Sequence, residues 1–257
     1  QETEKQWMFF QKNETEEKRV ARYLVGPYNN SWNFMDALEK AQDGDTIEFE
    51  NGYVFQWPTD EVIVINKSLH FVGYVVPNPN GNGRMFNNTI EASFRFVEGA
   101  QVTFEDLWFK VGGNYTALTL WNESAITCKQ VYFEITTPTN SEFFIYMDTH
   151  SKMTLDGVGM KVPEKHQSVI GMSASELSIQ NSTIFSKIDL SEGSKLTLEN
   201  VYIEKFGNNT IHAKDSEVIA KNSTITGGDL EKDFPPVWLR NVIWESENCK
   251  IELPTGT

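Results

Sequence analysis

The stretch GSKLTLENVYIEK, residues 193–205, contains the pattern that decides the fold. Apolar residues alternate with polar ones over 195–198 and again over 201–203, with a two-residue break at Glu199 and Asn200. Alternation is typical of half-buried strands, and such a break is typical of a corner between them. The stretch therefore predicts two short strands joined by a tight corner.

The same pattern recurs along the chain. Segments that superpose on it without gaps begin 19 to 27 residues apart and cover 99–111, 123–135, 150–162, 174–186 and 215–227. A further short alternating strand precedes most of them, at 118–120, 145–147, 188–190 and 211–213. A period this short accommodates three short strands, whereas a propeller blade needs about 40 residues and a sandwich has no reason to repeat. Stacked coils of this kind predict three parallel sheets around one apolar interior.

The N-terminal part of the repeat region begins with a helix signal. Residues 33–53 read NFMDALEKAQDGDTIEFENGY, in which Asn33 can cap a helix whose Phe34, Ala37 and Leu38 share one face. That face would plug the open end of the core. Together with the coils, this segment resembles the N-terminal part of proteins of the pectate-lyase-like β-helix superfamily. The resemblance implies an all-β, right-handed parallel β-helix, a three-sheet solenoid with a short N-terminal capping helix.

The chain is expected to form one structural domain in three parts. Residues 1–32 are predicted to be an N-terminal arm or cap, 33–227 the parallel β-helix, and 228–257 an irregular C-terminal cover. The segment 77–88 is predicted to be the longest structureless insertion. Asparagines recur at one corner, at Asn181, Asn200 and Asn222, and we expect their amides to bond to one another in a ladder.

Composition excludes several classes of partner. The formal net charge of −14 repels nucleic acid and anionic membranes, and no apolar run reaches the length of a membrane span. Cys128 and Cys249 should lie several coils apart as free thiols. The sequence contains no metal-binding or cofactor-binding motif. Calcium binding stays an alternative, although no calcium-binding motif supports it. Because the chain begins at Gln1, we expect it to belong to a larger polypeptide, with an extracellular or cell-surface location favoured.

Catalytic signatures implied by the resemblance are missing. Lyases of that superfamily combine acidic calcium ligands with an Arg or Lys base, and its glycosidases use clustered Asp, but no arginine lies between Arg95 and Arg240. The best remaining cluster is Asp148 and His150, with Glu123 one coil earlier. These residues could act as a general base or metal ligand, although a solvated corner is the favoured interpretation. His70 and His166 have no visible partner, and the side to which His212 points is not assigned.

Exposed aromatic residues suggest a binding surface. Trp108 and Tyr132 occupy the same outward position of neighbouring coils, followed by Lys110, and adjacent aromatics suit a sugar ring or a protein contact. Cover by another loop or a partner domain is an equal alternative. The leading hypothesis is a non-catalytic recognition or scaffold module that binds a glycan or a protein. The alternatives are a polysaccharide lyase or glycoside hydrolase with an atypical site, and an oligomeric adhesin or spike.

Overall fold

The computed structural model describes residues 20–58, 60–77, 84–112, 116–136, 143–161, 169–229 and 234–253. It contains one helix in this part of the chain, α1 (Phe34–Lys40). The strands of the N-terminal half are β1 (Arg22–Val25), β2 (Thr46–Phe49), β3 (Val54–Gln56), β4 (Val62–Ile65), β5 (Leu69–Val72), β6 (Val75–Pro77), β7 (Arg84–Phe86), β8 (Thr89–Glu91), β9 (Ser93–Phe96), β10 (Gln101–Glu105), β11 (Trp108–Val111), β12 (Leu118–Leu120) and β13 (Ala125–Lys129). Those of the C-terminal half are β14 (Tyr132–Ile135), β15 (Ile145–Met147), β16 (Lys152–Asp156), β17 (Gly159–Lys161), β18 (Val169–Ser173), β19 (Glu176–Gln180), β20 (Thr183–Ile184), β21 (Lys187–Ser191), β22 (Lys195–Glu199), β23 (Tyr202–Phe206), β24 (Ile211–Lys221), β25 (Thr224–Gly228), β26 (Val237–Glu247) and β27 (Lys250–Glu252).

These strands form a parallel β-helix of about eight turns with three faces. The first face contains β1, β2, β5, β10, β13, β16, β19 and β22; the second contains β3, β8, β11, β14, β17, β20, β23, β25 and β27; the third contains β4, β9, β12, β15, β18 and β21. The long strands β24 and β26 turn the corner between the third and first faces and so join them into one sheet. The predicted three-sheet parallel solenoid is confirmed.

The interior is filled by one continuous apolar cluster, which helix α1 closes at its N-terminal end. The side chain of Asn33 accepts a hydrogen bond from the Met35 amide and caps the helix, as predicted. Phe34 is fully buried, and its ring lies 4.0 Å from that of Phe55 and 6.0 Å from that of Phe71, measured between centroids. The helix therefore seals the aromatic part of the core.

The corners between strands are formed by residues whose backbone is left-handed. The predicted Asn corner has positive φ at Asn181, Asn200 and Asn222, with values of 50°, 55° and 48°. Asn200 Nδ2 donates to Asn181 Oδ1 over 3.4 Å, so these two coils form the expected amide contact. The ladder also extends beyond the predicted set, since Asn248 Nδ2 donates to Asn222 Oδ1 over 3.3 Å.

Buried serines line the corner between the third and first faces. Ser124, Ser151, Ser194 and Ser216 are almost fully buried, and each hydroxyl donates to a backbone carbonyl two or three residues earlier. These bonds satisfy polar groups inside an otherwise apolar corner. The serines follow directly after the left-handed residues and so hold each turn closed.

Two sequence expectations about irregular segments are wrong. Residues 237–252 do not form an irregular cover, because β26 pairs in parallel with β24 and β27 with β25, so the solenoid continues by one coil. The segment 77–88 is not wholly structureless, because β6 and β7 pair as an antiparallel hairpin, although residues 78–83 lie outside the described part. The division of the chain into three parts remains a prediction.

Both cysteines are free, several coils apart. Cys128 is fully buried, and burial raises the pKa of its thiol far above the ordinary value, whereas Cys249 is half-buried in the last coil. No helix in the described ranges combines the length and apolar character of a membrane-spanning segment.

Candidate functional site

The predicted cluster of Asp148, His150 and Glu123 lies at the corner that follows the third face. Glu123 and His150 take equivalent positions in adjacent coils, each with left-handed backbone and an exposed side chain. Asp148 accepts hydrogen bonds from the Thr149 amide and, over 3.4 Å, from the Tyr146 hydroxyl. No side-chain hydrogen bond joins the three predicted residues, all of which the structure describes. The corner brings them near one another without assembling them into one site.

The predicted aromatic patch of Trp108 and Tyr132 lies on the outside of the second face. The two residues are register partners, with ring centroids 5.9 Å apart in an edge-to-face arrangement. Phe86, from the β6–β7 hairpin, stacks on Tyr132 with its centroid 6.2 Å away, and both rings of the patch are half-buried. Burial also raises the pKa of the Tyr132 hydroxyl. The hairpin of the same chain therefore covers part of this patch.

Lys110 belongs to the same patch and contacts Trp108. Its ammonium lies 5.0 Å from the centre of the Trp108 ring and 3.9 Å from the carboxylate of Glu91. The next two positions of the column, Glu134 and Lys161, are joined by an ion pair of 2.8 Å. Lys161 is 65% exposed, so solvent screens its pair with Glu134 and the contribution of that pair to stability is small.

A second set of polar and aromatic side chains lies on the outside of the third face. Register pairing brings them into one column that crosses successive coils, and we call this column the third-face row. Its members, in order, are Arg95, Thr119, Tyr146, Gly171, Asp189, His212 and Trp238. Because neighbouring strands lie about 4.8 Å apart, the row spans about 29 Å along the solenoid axis.

Arg95 forms one end of the row together with Trp121. Its guanidinium carbon lies 4.6 Å from the centre of the Trp121 ring. Arg95 Nε and Trp121 Nε1 are both buried without a hydrogen-bond partner among the described residues, and no described carboxylate pairs with the guanidinium. In a protein with a net charge of −14, a cation stacked on an indole and free of described acidic partners is an unusual local feature.

His212 and Trp238 form the other end of the row. The His212 side chain points outward, with Nδ1 2.8 Å from Asp189 Oδ1, and its ring stacks on Trp238 with centroids 4.4 Å apart and planes at 24°. Lys187 Nζ lies 2.8 Å from the second oxygen of Asp189. One connected group thus joins Lys187 and Asp189 of β21, His212 of β24 and Trp238 of β26, which are neighbouring strands of the sheet.

Aromatic residues also occupy the centre of the row. Phe143 lies 5.1 Å from Tyr146 between ring centroids, and it covers Gly171 so closely that a Cβ at that glycine would collide with the Phe143 ring. Gly171 is therefore required by the close approach of Phe143. The row thus contains aromatic rings at Tyr146 in its middle and at Trp238 at its far end, and the Trp121 ring lies beside Arg95 at its first end.

Sequence reasoning missed this row. The partner of His212 lies 23 residues earlier in the chain, and only the coil register brings the two together. The outward position in each third-face strand could have revealed the column, had these strands been aligned as the other two sets were. His70, which showed no partner in the sequence, pairs with Glu105 through Nε2 at 3.0 Å on the first face, and His166 lies outside the described residues.

The described residues do not suggest a metal centre. Within the ranges covered by the structure, no group of three or more His, Cys, Asp or Glu side chains is placed to hold a metal ion.

No protein-family model matches the sequence, and no curated protein matches it. Among solved structures, a crystal structure of the pectate lyase Pel9A matches 80% of this chain with 13% identity and a TM-score of 0.44. A rhamnogalacturonan lyase matches 86% of the chain with 10% identity and a TM-score of 0.44. This chain spans 63% of the length of the pectate lyase and 73% of that of the rhamnogalacturonan lyase. At these identities and TM-scores, the two lyases assign no function to this chain.

Proposed function

We propose that the protein is a carbohydrate-recognition β-helix that binds an extended glycan along the third-face row. The observation that carries this proposal is the placement of aromatic side chains in the middle of one column and at its far end, with the Trp121 ring beside its first end. Trp121, Tyr146 and Trp238 offer apolar ring surfaces, and the polar groups between them can hydrogen-bond hydroxyls. A linear polymer suits a straight column better than a compact ligand does, because it can contact all three positions at once.

Arg95 adds a charge to this surface. Its guanidinium has no described carboxylate partner, so it can donate hydrogen bonds to a bound glycan without first breaking an ion pair. The Trp121 ring beneath it limits the rotamers that the side chain can adopt. The loss of entropy on binding is smaller for a side chain held in this way.

The Trp108 and Tyr132 patch remains a second candidate surface for the same function. Its two rings are adjacent on neighbouring coils and cover a shorter length of the solenoid than the third-face row does. The extracellular or cell-surface location and membership of a larger polypeptide also remain predictions.

Affinity electrophoresis against a panel of neutral and acidic polysaccharides tests this proposal. Trp238→Ala and Trp121→Ala should each weaken binding about thirtyfold, since the loss of an aromatic anchor costs ~2 kcal/mol. Tyr132→Ala is the matched control, because it removes an aromatic ring of the second face and should leave binding unchanged. If Tyr132→Ala abolishes binding while the two tryptophan variants retain it, the glycan binds the second face instead. If no polysaccharide retards the wild-type protein, the proposal fails.

A further inference from the structure

Asp189 and His212 form a fixed carboxylate–imidazole pair on the third face. They are register partners on β21 and β24, and His212 Nδ1 lies 2.8 Å from Asp189 Oδ1. An ionised carboxylate only accepts hydrogen bonds, so the neutral imidazole places its proton on Nδ1 and its lone pair on Nε2. Among the described residues Nε2 has no hydrogen-bond partner. The side chain is 31% exposed, so this nitrogen can meet water or a ligand.

Two neighbours hold this pair in place. Lys187 Nζ lies 2.8 Å from Asp189 Oδ2, and the Lys187 side chain is only 16% exposed. Because His212 contacts the other oxygen, the Asp189 carboxylate is held through both of its oxygens. Trp238 stacks on the imidazole and restricts the rotation of the ring. An imidazole oriented by a carboxylate, with its second nitrogen open, has the geometry of a general base.

We propose that His212 is a catalytic base for hydrolysis of a carboxylic ester carried by the bound glycan, an inference that rests on the proposed function. His212 Nε2 takes a proton from a water molecule while the water oxygen bonds to the ester carbonyl carbon. The tetrahedral intermediate collapses with cleavage of the bond to the alkoxy oxygen, which receives the proton from Nε2. The products are a carboxylic acid and an alcohol, and no oxidant or reductant is consumed. Asp189 is a positioning residue that acts through His212.

An ester fits this group better than a glycosidic bond does. Glycoside hydrolysis uses two carboxyl groups about 5–9.5 Å apart. Both oxygens of Asp189 are already engaged, and the carboxylates at the corner that follows, Asp215 and Glu192, accept hydrogen bonds from Asn241 and Ser173. Ester hydrolysis needs only the base, a water molecule and a donor for the developing oxyanion. Lys187 Nζ, with two further N–H groups, lies on the same face and can supply that donor.

Acid release from acetylated xylan and from methyl-esterified pectin, followed in a pH-stat, tests the proposal. Acetate release and methanol release distinguish an acyl group on the sugar from an esterified sugar acid. His212→Gln should lower the rate about 100-fold, a larger loss than the weakening of binding that affinity electrophoresis measures for this member of the third-face row. Asp189→Asn should lower the rate as well, because an amide can favour the other imidazole tautomer, and Asp189→Glu, which keeps a carboxylate, should restore part of it. His70→Gln, from the matched pair with Glu105 on the first face, should leave the rate unchanged.

Several outcomes separate the two proposals. A protein that binds a polysaccharide but releases no acid from either ester, or an unchanged rate in His212→Gln, would overturn the catalytic role. Unsaturated products or new reducing ends in place of acid would also overturn it. A protein that binds no polysaccharide, yet hydrolyses p-nitrophenyl acetate in a manner that requires both His212 and Asp189, would remove the binding proposal and keep the base. Thermal unfolding of the His212→Gln and Asp189→Asn variants shows whether their fold is intact.

Discussion

At the scale of single residues, left-handed backbone determines which side chains the corners tolerate. Asparagine, aspartate and glycine adopt positive φ with little strain, and they fill most of these positions. Ala174 is an exception, because its φ is 46° although it has a Cβ and no polar side chain that could compensate. This corner therefore contains local strain that the neighbouring coils offset.

Ala174→Gly should raise the free energy of unfolding by up to about 1 kcal/mol, because glycine removes the clash between Cβ and the carbonyl oxygen. Ala125→Gly is the matched control. Ala125 lies within strand β13, where glycine adds only conformational entropy to the unfolded chain. The substitution should therefore lower the free energy of unfolding by about 0.5–1 kcal/mol. Urea denaturation measures both changes. Equal destabilisation by the two substitutions would show that the left-handed corner is not strained.

The two thiols should differ sharply in reactivity. Thiolate is the reactive form, and burial both shields the Cys128 sulfur and raises its pKa, so the native protein should hardly form thiolate there at pH 8. Cys249 is half-buried in the last coil and should react. With 5,5′-dithiobis(2-nitrobenzoic acid) we expect one rapid equivalent in the native protein and two in urea. Cys249→Ser should remove the rapid equivalent, and rapid loss of both thiols in the native wild type would contradict the burial of Cys128.

At the scale of elements, the sequence predicts strands wherever apolar alternation is strong and fails where alternation is weak. The repeat at 193–205 and the helix that begins after Asn33 are both found as predicted. Strand β26 was missed because its inward positions at the end of the solenoid remain partly exposed and carry mixed residues, for example Leu239 at 40% exposure. The two prolines at 235 and 236, directly before this strand, also favour an irregular segment.

The candidate site was less predictable than the fold for a different reason. The fold follows from local alternation, whereas the third-face row depends on which residue of one coil lies beside which residue of the next. Coil lengths vary between 19 and 27 residues, so the register is not fixed by counting. The outward positions of 188–190 and 211–213 already suggest the contact between Asp189 and His212, whereas the contact between Arg95 and Trp121 becomes visible only once the strands are paired.

At the scale of the whole molecule, the two ends of the described solenoid differ. The N-terminal end is closed by α1, whose Phe34 lies against Phe49, Phe55, Phe71 and Phe94. At the other end, Leu239 and Ile251 of the last coil are 40% and 50% exposed. Each coil contacts mainly its neighbours, so the stability of a solenoid is roughly a sum over coils and their interfaces. The ends should therefore respond differently to removal.

Deletion of residues 237–257 should leave a folded protein. The deletion removes β26 and β27, and the newly exposed coil, with Val218 and Ala220 in β24, replaces one partly exposed apolar end by another. The circular dichroism of the β-helix should persist, with a melting temperature lower by ~2–4 °C for each kcal/mol of lost interface. Binding of glycan should weaken as well, because Trp238 is removed.

Deletion of residues 1–41 should instead abolish cooperative unfolding, since it uncovers the phenylalanine cluster beneath α1. A molten C-terminal truncation beside a stable N-terminal one would reverse this assignment of the two ends.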